Sequence, residues 1–518
     1  MKNLPRDVSD FEKMITQNYV YVDKTQYIYN LYATGDTHHF LSRPRRFGKS
    51  LLVSTLKELF SGNKELFKDL WIGSSDYKWQ EYSVIHLDFA DISHETATEL
   101  KLSLGWALNS IAQQYAVDIS QAPTLNAKFS FLVKQLAQKN KVVLLIDEYD
   151  KPVLDHIENK ERAKAQQAVL KSFYDTIKGL NSYLHAVFIT GVSKFSKTSI
   201  FSGLNNLIDI TMASPGVALL GYTKSEIEYY FKDYIDDFAH AKKRTVTTIM
   251  NEMEVWYNGY RFSQEPTRVY NPYSVLYYLK DKEQANYWFE SGTPSFLIKL
   301  IQNQYDALED IKDIELSVQS LGTFDITHIP LIPLLFQTGY LTITDYNRET
   351  KKYKLNYPNA EVSESFQTFI ITALTEHNAT TVERSVSRMV KALNSNDVDA
   401  FCMVLQSLFA HIPSNLYIEQ ERYFHSLFQF LGNLLGLEIQ SEIVTDKGRI
   451  DLVITTNQYI YIFELKFNTS PDVALQQIED RRYYERYLIS KQHIVLIGLA
   501  FNYKKKKLTL EWQKKLIQ

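Results

Sequence analysis

The stretch FLSRPRRFGKSLL (Phe40–Leu52) decides how the first part of the chain is read. It closes on Gly48-Lys49-Ser50, the end of the pattern G-x-x-x-x-G-K-[ST], a loop whose backbone N–H groups cradle phosphate oxygens at the start of a helix. Where that pattern asks for its first glycine stands Arg43, followed by Pro44, Arg45 and Arg46. The first glycine only opens the turn, and Pro44 offers another way to do so because its ring fixes φ. Gly48 then lets the backbone approach a phosphate, Lys49 supplies charge to the β/γ-phosphates, and Ser50 offers a metal-facing hydroxyl. Arg46 and Phe47 complete the nucleotide-binding loop. Upstream, HHFLS (38–42) reads as a strand; downstream, Leu52, Val53, Leu56, Leu59 and Phe60 fall at helical spacing.

A tripeptide GKS is weak evidence alone, so a second element has to decide. VVLLIDEYD places Asp147 and Glu148 at the C-terminal end of an apolar strand, the edge at which open α/β sheets bind ligands. Asp147 there holds Mg²⁺ through water and Glu148 polarises the attacking water; the bland alternative is an exposed acidic turn. FITGVSKFSK (188–197) ends another apolar strand, from which Thr190 or Ser193 could sense the γ-phosphate or simply make a turn. Arg45 and Arg46 could clamp phosphate, reach a neighbouring subunit or stay solvated. Continuous apolar runs at 83–89, 142–146 and 184–191, separated by helical patterns, predict a parallel sheet covered on both faces. From Gly221 the texture is helical. Residues 330–357 then read as a short helix and two strands about a charged turn, which suits a winged helix or a plain hairpin.

Near the end, GRIDLVITTNQYIYIFELK holds two strand patterns around a polar turn. If Asn457 and Gln458 centre that turn, Asp451 lies directly opposite Glu464, with Cβ atoms roughly 4.5–5.5 Å apart. Two carboxylates that close repel unless a cation sits between them. Lys466 follows Glu464 by two residues, on the same face, placed to activate water or to neutralise developing charge. A cross-strand Glu–Lys surface pair is the alternative. The preceding helix offers Glu421, with His425 one turn on as a packed helix histidine. NYKKKKLTLEW (502–512) reads as a loop whose lysines 504–507 are solvated or hold a phosphate backbone.

These strings, with FEKMI and YVYVDKTQYI near the start and ITGVSKFSKTSIFSGLNNL after the third apolar run, resemble the bacterial AAA-ATPase-like proteins that carry a C-terminal PD-(D/E)XK nuclease-superfamily domain. The resemblance is strong over residues 5–215, moderate over the last hundred and only in outline between. It implies that an arginine-rich loop normally replaces the glycine-rich one. It also implies that Asp451, Glu464 and Lys466 are catalytic, that Glu421 and the Leu465 carbonyl join Asp451 and Glu464 around a metal, and that Gln477, with Tyr483 and Tyr487 less surely, stands nearby. The fold expected is α/β: an additional-strand (ASCE/AAA-like) P-loop ATPase domain at 1–215, a helical lid at 216–325, a winged-helix-like and helical region at 326–410, and a restriction-endonuclease-like domain at 411–518.

Bulk composition agrees. At 518 residues the chain exceeds one ordinary domain, and 45% hydrophobic with 23% charged residues is the balance of a core-forming soluble protein. A single cysteine, Cys402, excludes an intrachain disulfide framework. No apolar signal region opens the chain and no run of about 18 apolar residues occurs, so a cytoplasmic protein with no membrane partner is expected. A net charge of −3 neither favours nor excludes nucleic acid. The expected function is ATP binding and hydrolysis that controls Mg²⁺-dependent (or Mn²⁺-dependent) cleavage of nucleic acid, DNA foremost, in defence against foreign DNA or mobile elements, in a monomer or a homo-oligomer. The rivals are an ATP-dependent nucleic-acid-binding switch that does not cleave and a P-loop phosphotransferase.

Overall fold

The computed structural model describes residues 1–518 apart from 196–199, 202–203, 205, 291–296, 298–299, 302–303, 305–313, 323–328, 376, 411, 413–420, 505–506 and 518; at 290, 421–423, 504 and 507 it describes the backbone alone. The described residues form two compact units, one from 1–292 with 312–362 and one from 293–311 with 363–518.

The first unit is built on a five-stranded sheet in the order β2-β3-β4-β1-β5. Its strands are β1 (His38–Ser42), β2 (Ser83–Asp88), β3 (Val142–Asp147), β4 (Leu184–Gly191) and the short β5 (Ile208–Asp209), all paired in parallel. Every residue of β1 and β3 is buried, as a strand covered by helices on both faces requires. β4 stands between the loop strand β1 and the carboxylate strand β3, so the ends of all three meet at one edge. Helix α1 (Lys49–Phe60) starts directly from the loop after β1 and buries Leu52, Val53, Leu56, Leu59 and Phe60.

A second, helical core follows in the same unit. Ile227, Phe231, Ile235, Phe238, Ile249 and Met253, from helices spanning 224–257, pack with Val275, Tyr278 and Leu279 of α2 (Pro272–Asp281). The extended segment Tyr19–Val22 stitches the two cores together. Tyr21 packs with Phe11, Met14 and the α1 residues, while Val20 and Val22 pack with the helical core. Alternate side chains of an extended chain point in opposite directions, so one short segment serves both. Further along, the expected helix (Leu331–Thr338) and hairpin of β7 (Thr342–Asn347) and β8 (Lys352–Asn356) are present. The hairpin is joined by a strand from the stretch read as purely helical, β6 (Ile314–Ser317), which pairs antiparallel with β8.

The second unit carries a sheet in the order β13-β12-β11-β10-β9, from β9 (Glu438–Thr445), β10 (Gly448–Thr455), β11 (Tyr459–Phe467), β12 (His493–Lys504) and β13 (Lys507–Leu516). Neighbours are antiparallel except β11 and β12, which run parallel and are linked through helix α4 (Pro471–Asp480). Helix α3 (Glu421–Leu434) precedes the sheet. Of the lysine-rich stretch read as a loop, Lys504 ends β12 and Lys507 begins β13, and the two pair; residues 505–506, and the side chains of Lys504 and Lys507, lie outside the described residues.

Candidate functional site

The loop between β1 and α1 is held by its least expected residue. Arg43 is 1% exposed, and its Nη1 donates to the carbonyls of Ser42 and Thr211 (both 2.8 Å) while Nη2 donates to that of Gly216 (2.6 Å). The guanidinium lies 4.1 Å from the centre of the Phe262 ring. Arg43 is therefore a structural tie between the end of β1 and the segment after β5. Burial pushes its pKa down to about 9, with Asp209 opposing the shift, so it remains charged near neutrality.

Beyond Arg43 the backbone turns sharply. Arg46 has φ 64 and Gly48 has φ 90; the second value suits glycine, since an L side chain there costs roughly 1–2 kcal/mol. The Phe47 ring packs edge-on against Tyr260 and Phe262, which anchors the loop. Lys49 is buried, and its Nζ donates to the carbonyls of Arg43 (3.1 Å) and Pro44 (3.0 Å), folded back on the loop it would serve. Burial lowers its pKa, against the pull of Asp147, Glu148 and Asp150.

Asp147 and Glu148 end β3 beside this loop. Burial raises the pKa of Asp147 to about 6, opposed by a hydrogen bond with the Ser50 hydroxyl and by Lys49, which puts Ser50 and Asp147 in contact. Glu148 has φ 50, a left-handed conformation uncommon outside glycine, and burial raises its pKa as well. Next to them Asp150 is used structurally: Oδ2 accepts from the Ser193 N–H (2.6 Å) and hydroxyl (2.7 Å). Ser193, one of the two residues read as possible sensors, thus ties the segment after β4 to the segment after β3. Thr190 is fully buried and is not among the residues lining the cavity described next.

A cavity of about 490 Å³ opens above the loop, within the range of small-molecule sites. Arg45 to Ser50 and Glu148 line one end. Asp147 is not a lining residue and reaches the site only through Ser50. Arg45 and Arg46 are exposed; Arg46 Nη1 meets Asp7 Oδ1 at 3.1 Å and its guanidinium lies 4.7 Å from the Tyr273 ring centre.

In the second unit the hairpin has the register read from the sequence. Leu452 pairs with Phe463 and Thr455 with Ile460, and the Thr456 N–H donates to the Tyr459 carbonyl at 2.8 Å. The next rung places Asp451 across from Glu464. Asp451 Oδ2 accepts from the Leu465 N–H (2.8 Å). Glu464 is 1% exposed; its Oε1 accepts from Lys466 Nζ (3.1 Å) and from the Gln477 amide of α4. Burial raises the pKa of Asp451, with the Leu465 hydrogen bond, His425 and Lys466 working the other way.

One residue at this site, Glu442, escaped sequence reading, and His425 was read only as a packed helix histidine. Glu442, at φ 55 in β9, and His425 of α3 bring their ligand atoms, with one from Asp451, within 4.8 Å of one another. His425 Nε2 is 3.1 Å from Glu442 Oε1 and 3.3 Å from the Asp451 carbonyl; it is part of the site, not merely packed. The signal for Glu442 was available, since a turn centred on Asp446-Lys447 puts Glu442 across from Asp451, as the flanking pairs Ile450–Ile443 and Leu452–Ser441 do. Tyr483 belongs to the core cluster that includes Ile478 and Ile494, and Tyr487 packs against it. Glu421 begins α3, but its side chain lies outside the described residues.

A phosphate loop with strand-end carboxylates, followed by a sheet with a carboxylate–lysine hairpin, defines a nucleotide-binding protein with an appended nuclease-type domain. Comparison with known proteins agrees: residues 5–201 match the family described as predicted AAA-ATPase, and 419–511 match the PD-(D/E)XK nuclease superfamily. A relative from Azotobacter chroococcum mcd 1, "Uncharacterized protein in vnfD 5'region", is 34% identical over 514 residues, covering 97% of this chain and 96% of its own. The chain belongs to the family of AAA-ATPase-like proteins with a C-terminal PD-(D/E)XK nuclease-superfamily domain. No helix among the described residues is long and apolar enough to cross a membrane.

Proposed function

We propose that this protein binds and hydrolyses ATP and that its nucleotide state governs metal-dependent hydrolysis of phosphodiester bonds in DNA. The observation that carries the reading is the hairpin of the second unit. Glu464 is 1% exposed, its Oε1 accepts from Lys466 and Gln477, and it lies next to Asp451 in the hairpin. Burying such charges costs several kcal/mol unless something is gained, and a metal-dependent active site is what this set of groups supplies. Asp451, Glu442 and His425, whose donor atoms gather within 4.8 Å, are a set that would suit a divalent cation such as Mg²⁺ or Mn²⁺, and the family resemblance adds Glu464 and the Leu465 carbonyl as further donors. Bound there, such an ion supplies Lewis acidity and an acidified water.

The chain's own groups then have distinct tasks. Asp451 and Glu464 fix the position of the cleavage site within the sheet. Lys466, not a ligand, orients the attacking water or neutralises charge developing on the phosphate. Gln477 positions Glu464. In the first unit, Lys49 leaves the carbonyls of Arg43 and Pro44 to meet the β/γ-phosphates, Ser50 and Asp147 serve the accompanying magnesium, and Glu148 orients water for hydrolysis. The division into 1–215, 216–325, 326–410 and 411–518 is retained as the functional layout. Such coupling suits defence against foreign DNA, which phage or plasmid challenge of cells carrying Lys466→Ala would probe.

The direct test is purified full-length protein with supercoiled DNA, crossing Mg²⁺ or EDTA with ATP, a non-hydrolysable analogue or no nucleotide. Metal-dependent nicking whose rate follows the nucleotide is expected. DNA retained but never cut under any combination would favour the non-cleaving switch.

A further inference from the structure

The phosphate loop presents three successive carbonyls, of Arg43, Pro44 and Arg45, and side chains take all three. Lys49 Nζ holds the first two. The third accepts from the indole Nε1 of Trp288 at 3.0 Å, from 243 residues along the chain. Trp288 is buried and is gripped from its other side as well, since its backbone N–H donates to Glu361 Oε1 at 2.6 Å. Glu361 is itself fully buried, accepts at Oε2 from the Ser274 hydroxyl of α2 (2.8 Å), and stands in the first turn of the helix Ala360–Thr375, where a carboxylate suits the helix dipole. That helix opens in the first unit and belongs to the second from Ser363 onward. Apolar contacts press on the same loop. Gly339, at φ 92, ends the helix Leu331–Thr338 so close to Pro44 that a Cβ there would lie 2.7 Å from the proline ring. The Trp288 ring lies 5.3 Å from that of Tyr340 and 6.5 Å from that of Tyr260, on which Phe47 packs.

We infer that Trp288 and Glu361 form the relay by which nucleotide in the phosphate loop acts on the helix Ala360–Thr375, and through it on the second unit. The inference rests on the proposed reading that nucleotide state governs cleavage, and it names the means. A relay needs an element with two arrangements that both sites bias, and Lys49 is that element. Without a phosphate it donates to the carbonyls of Arg43 and Pro44; to meet the β/γ-phosphates it lets them go. Buried carbonyls that lose a charged donor are costly, so the backbone at 43–45 turns to regain partners, and the Arg45 carbonyl moves with it. Trp288 is packed on several sides, and a close-packed interior passes such a shift on rather than absorbing it. The shift arrives at Glu361, the first turn of the helix. Neither Trp288 nor Glu361 lines the cavity above the loop, so the pair transmits occupancy without touching the ligand.

Hydrogen–deuterium exchange on the full chain tests this, with Mg²⁺ and a saturating non-hydrolysable ATP analogue or no nucleotide, read at the amides of 364–375. Binding of the analogue is checked by calorimetry. In wild type the analogue should change exchange along this helix about threefold or more, as a local opening equilibrium responds to a contact made or lost. Trp288→Phe keeps a ring and removes only the indole donor, and Glu361→Gln keeps the side-chain shape and removes the charge. Each should still bind the analogue and lose most of the change at 364–375. Trp106→Phe, which alters an exposed tryptophan, should keep the full response. Wild type that binds the analogue with no change at 364–375 overturns the relay and leaves ATP binding standing, as does a full response in both Trp288→Phe and Glu361→Gln. Wild type that binds no nucleotide overturns the ATP reading and the relay with it. Exchange decides the matter even where no DNA is cut, so failure of the nuclease reading is seen separately.

Discussion

Replacing Arg43 by glycine restores the first glycine of the common phosphate-loop pattern, and it should damage the protein. Three carbonyl oxygens, of Ser42, Thr211 and Gly216, accept charge-assisted hydrogen bonds from this one guanidinium. Each such bond contributes about 1.5–3 kcal/mol, and a desolvated cation–π contact with Phe262 adds about 2 kcal/mol. Against that stands the cost of burying the cation, the same cost that lowers its pKa. Removing the side chain recovers that cost but leaves buried carbonyls without their donor and opens a cavity. The balance is a loss of roughly 3–5 kcal/mol, the range for breaking a buried charged network. Urea unfolding followed by circular dichroism reads it as a lower midpoint for the first transition, and calorimetry should show ATP affinity no better than wild type. If Arg43→Gly unfolds at the wild-type urea concentration and binds ATP more tightly, Arg43 is an ordinary loop residue and the tie described above is wrong.

Lys49→Ala should abolish ATP binding by calorimetry, whereas Glu148→Gln should bind ATP and release no phosphate in a steady-state assay; retained turnover in the latter would remove Glu148 from the chemistry. Asp451→Asn should stop DNA nicking while melting at or slightly above wild type, because it relieves a buried charge that already titrates high; a lower melting point would mark Asp451 as structural. Lys466→Ala should cut equally poorly yet still bind Mn²⁺, followed by electron paramagnetic resonance. His94 Nε2 lies 3.0 Å from Asp155, whose hydrogen bond raises the His94 pKa. Burial alone would raise the Asp155 pKa, but His94 and Lys151 bring it down to about 2. A raised histidine contributes stability fully present below about pH 6.5 and lost as pH rises through its folded pKa. The urea midpoint of wild type should therefore fall toward that of His94→Gln between pH 6 and 8.5, and parallel curves would refute the pair's contribution.

The sequence by itself determined the elements and the local chemistry. HHFLS, VVLLID and LHAVFITG became β1, β3 and β4, because continuous apolar runs bounded by polar turns carry their own strand signal. The polar turn at Thr456 to Gln458 fixed the β10–β11 register and with it the place of Asp451 against Glu464, since hairpin register is a short-range property. What only the tertiary structure decided involves partners far apart in the chain. Arg43 looks like a loop cation, yet its carbonyl partners Thr211 and Gly216 stand 168 and 173 residues away. Ser193 is spent on Asp150, and His425 reaches the hairpin only because α3 packs beside it. The lysine-rich 504–507 stretch hid the start of β13, whose pairing with β12 outweighs its poor local strand signal. Spacing along the chain fixes what neighbouring residues can do to one another, whereas burial and the sharing of polar partners are settled by which distant elements pack together.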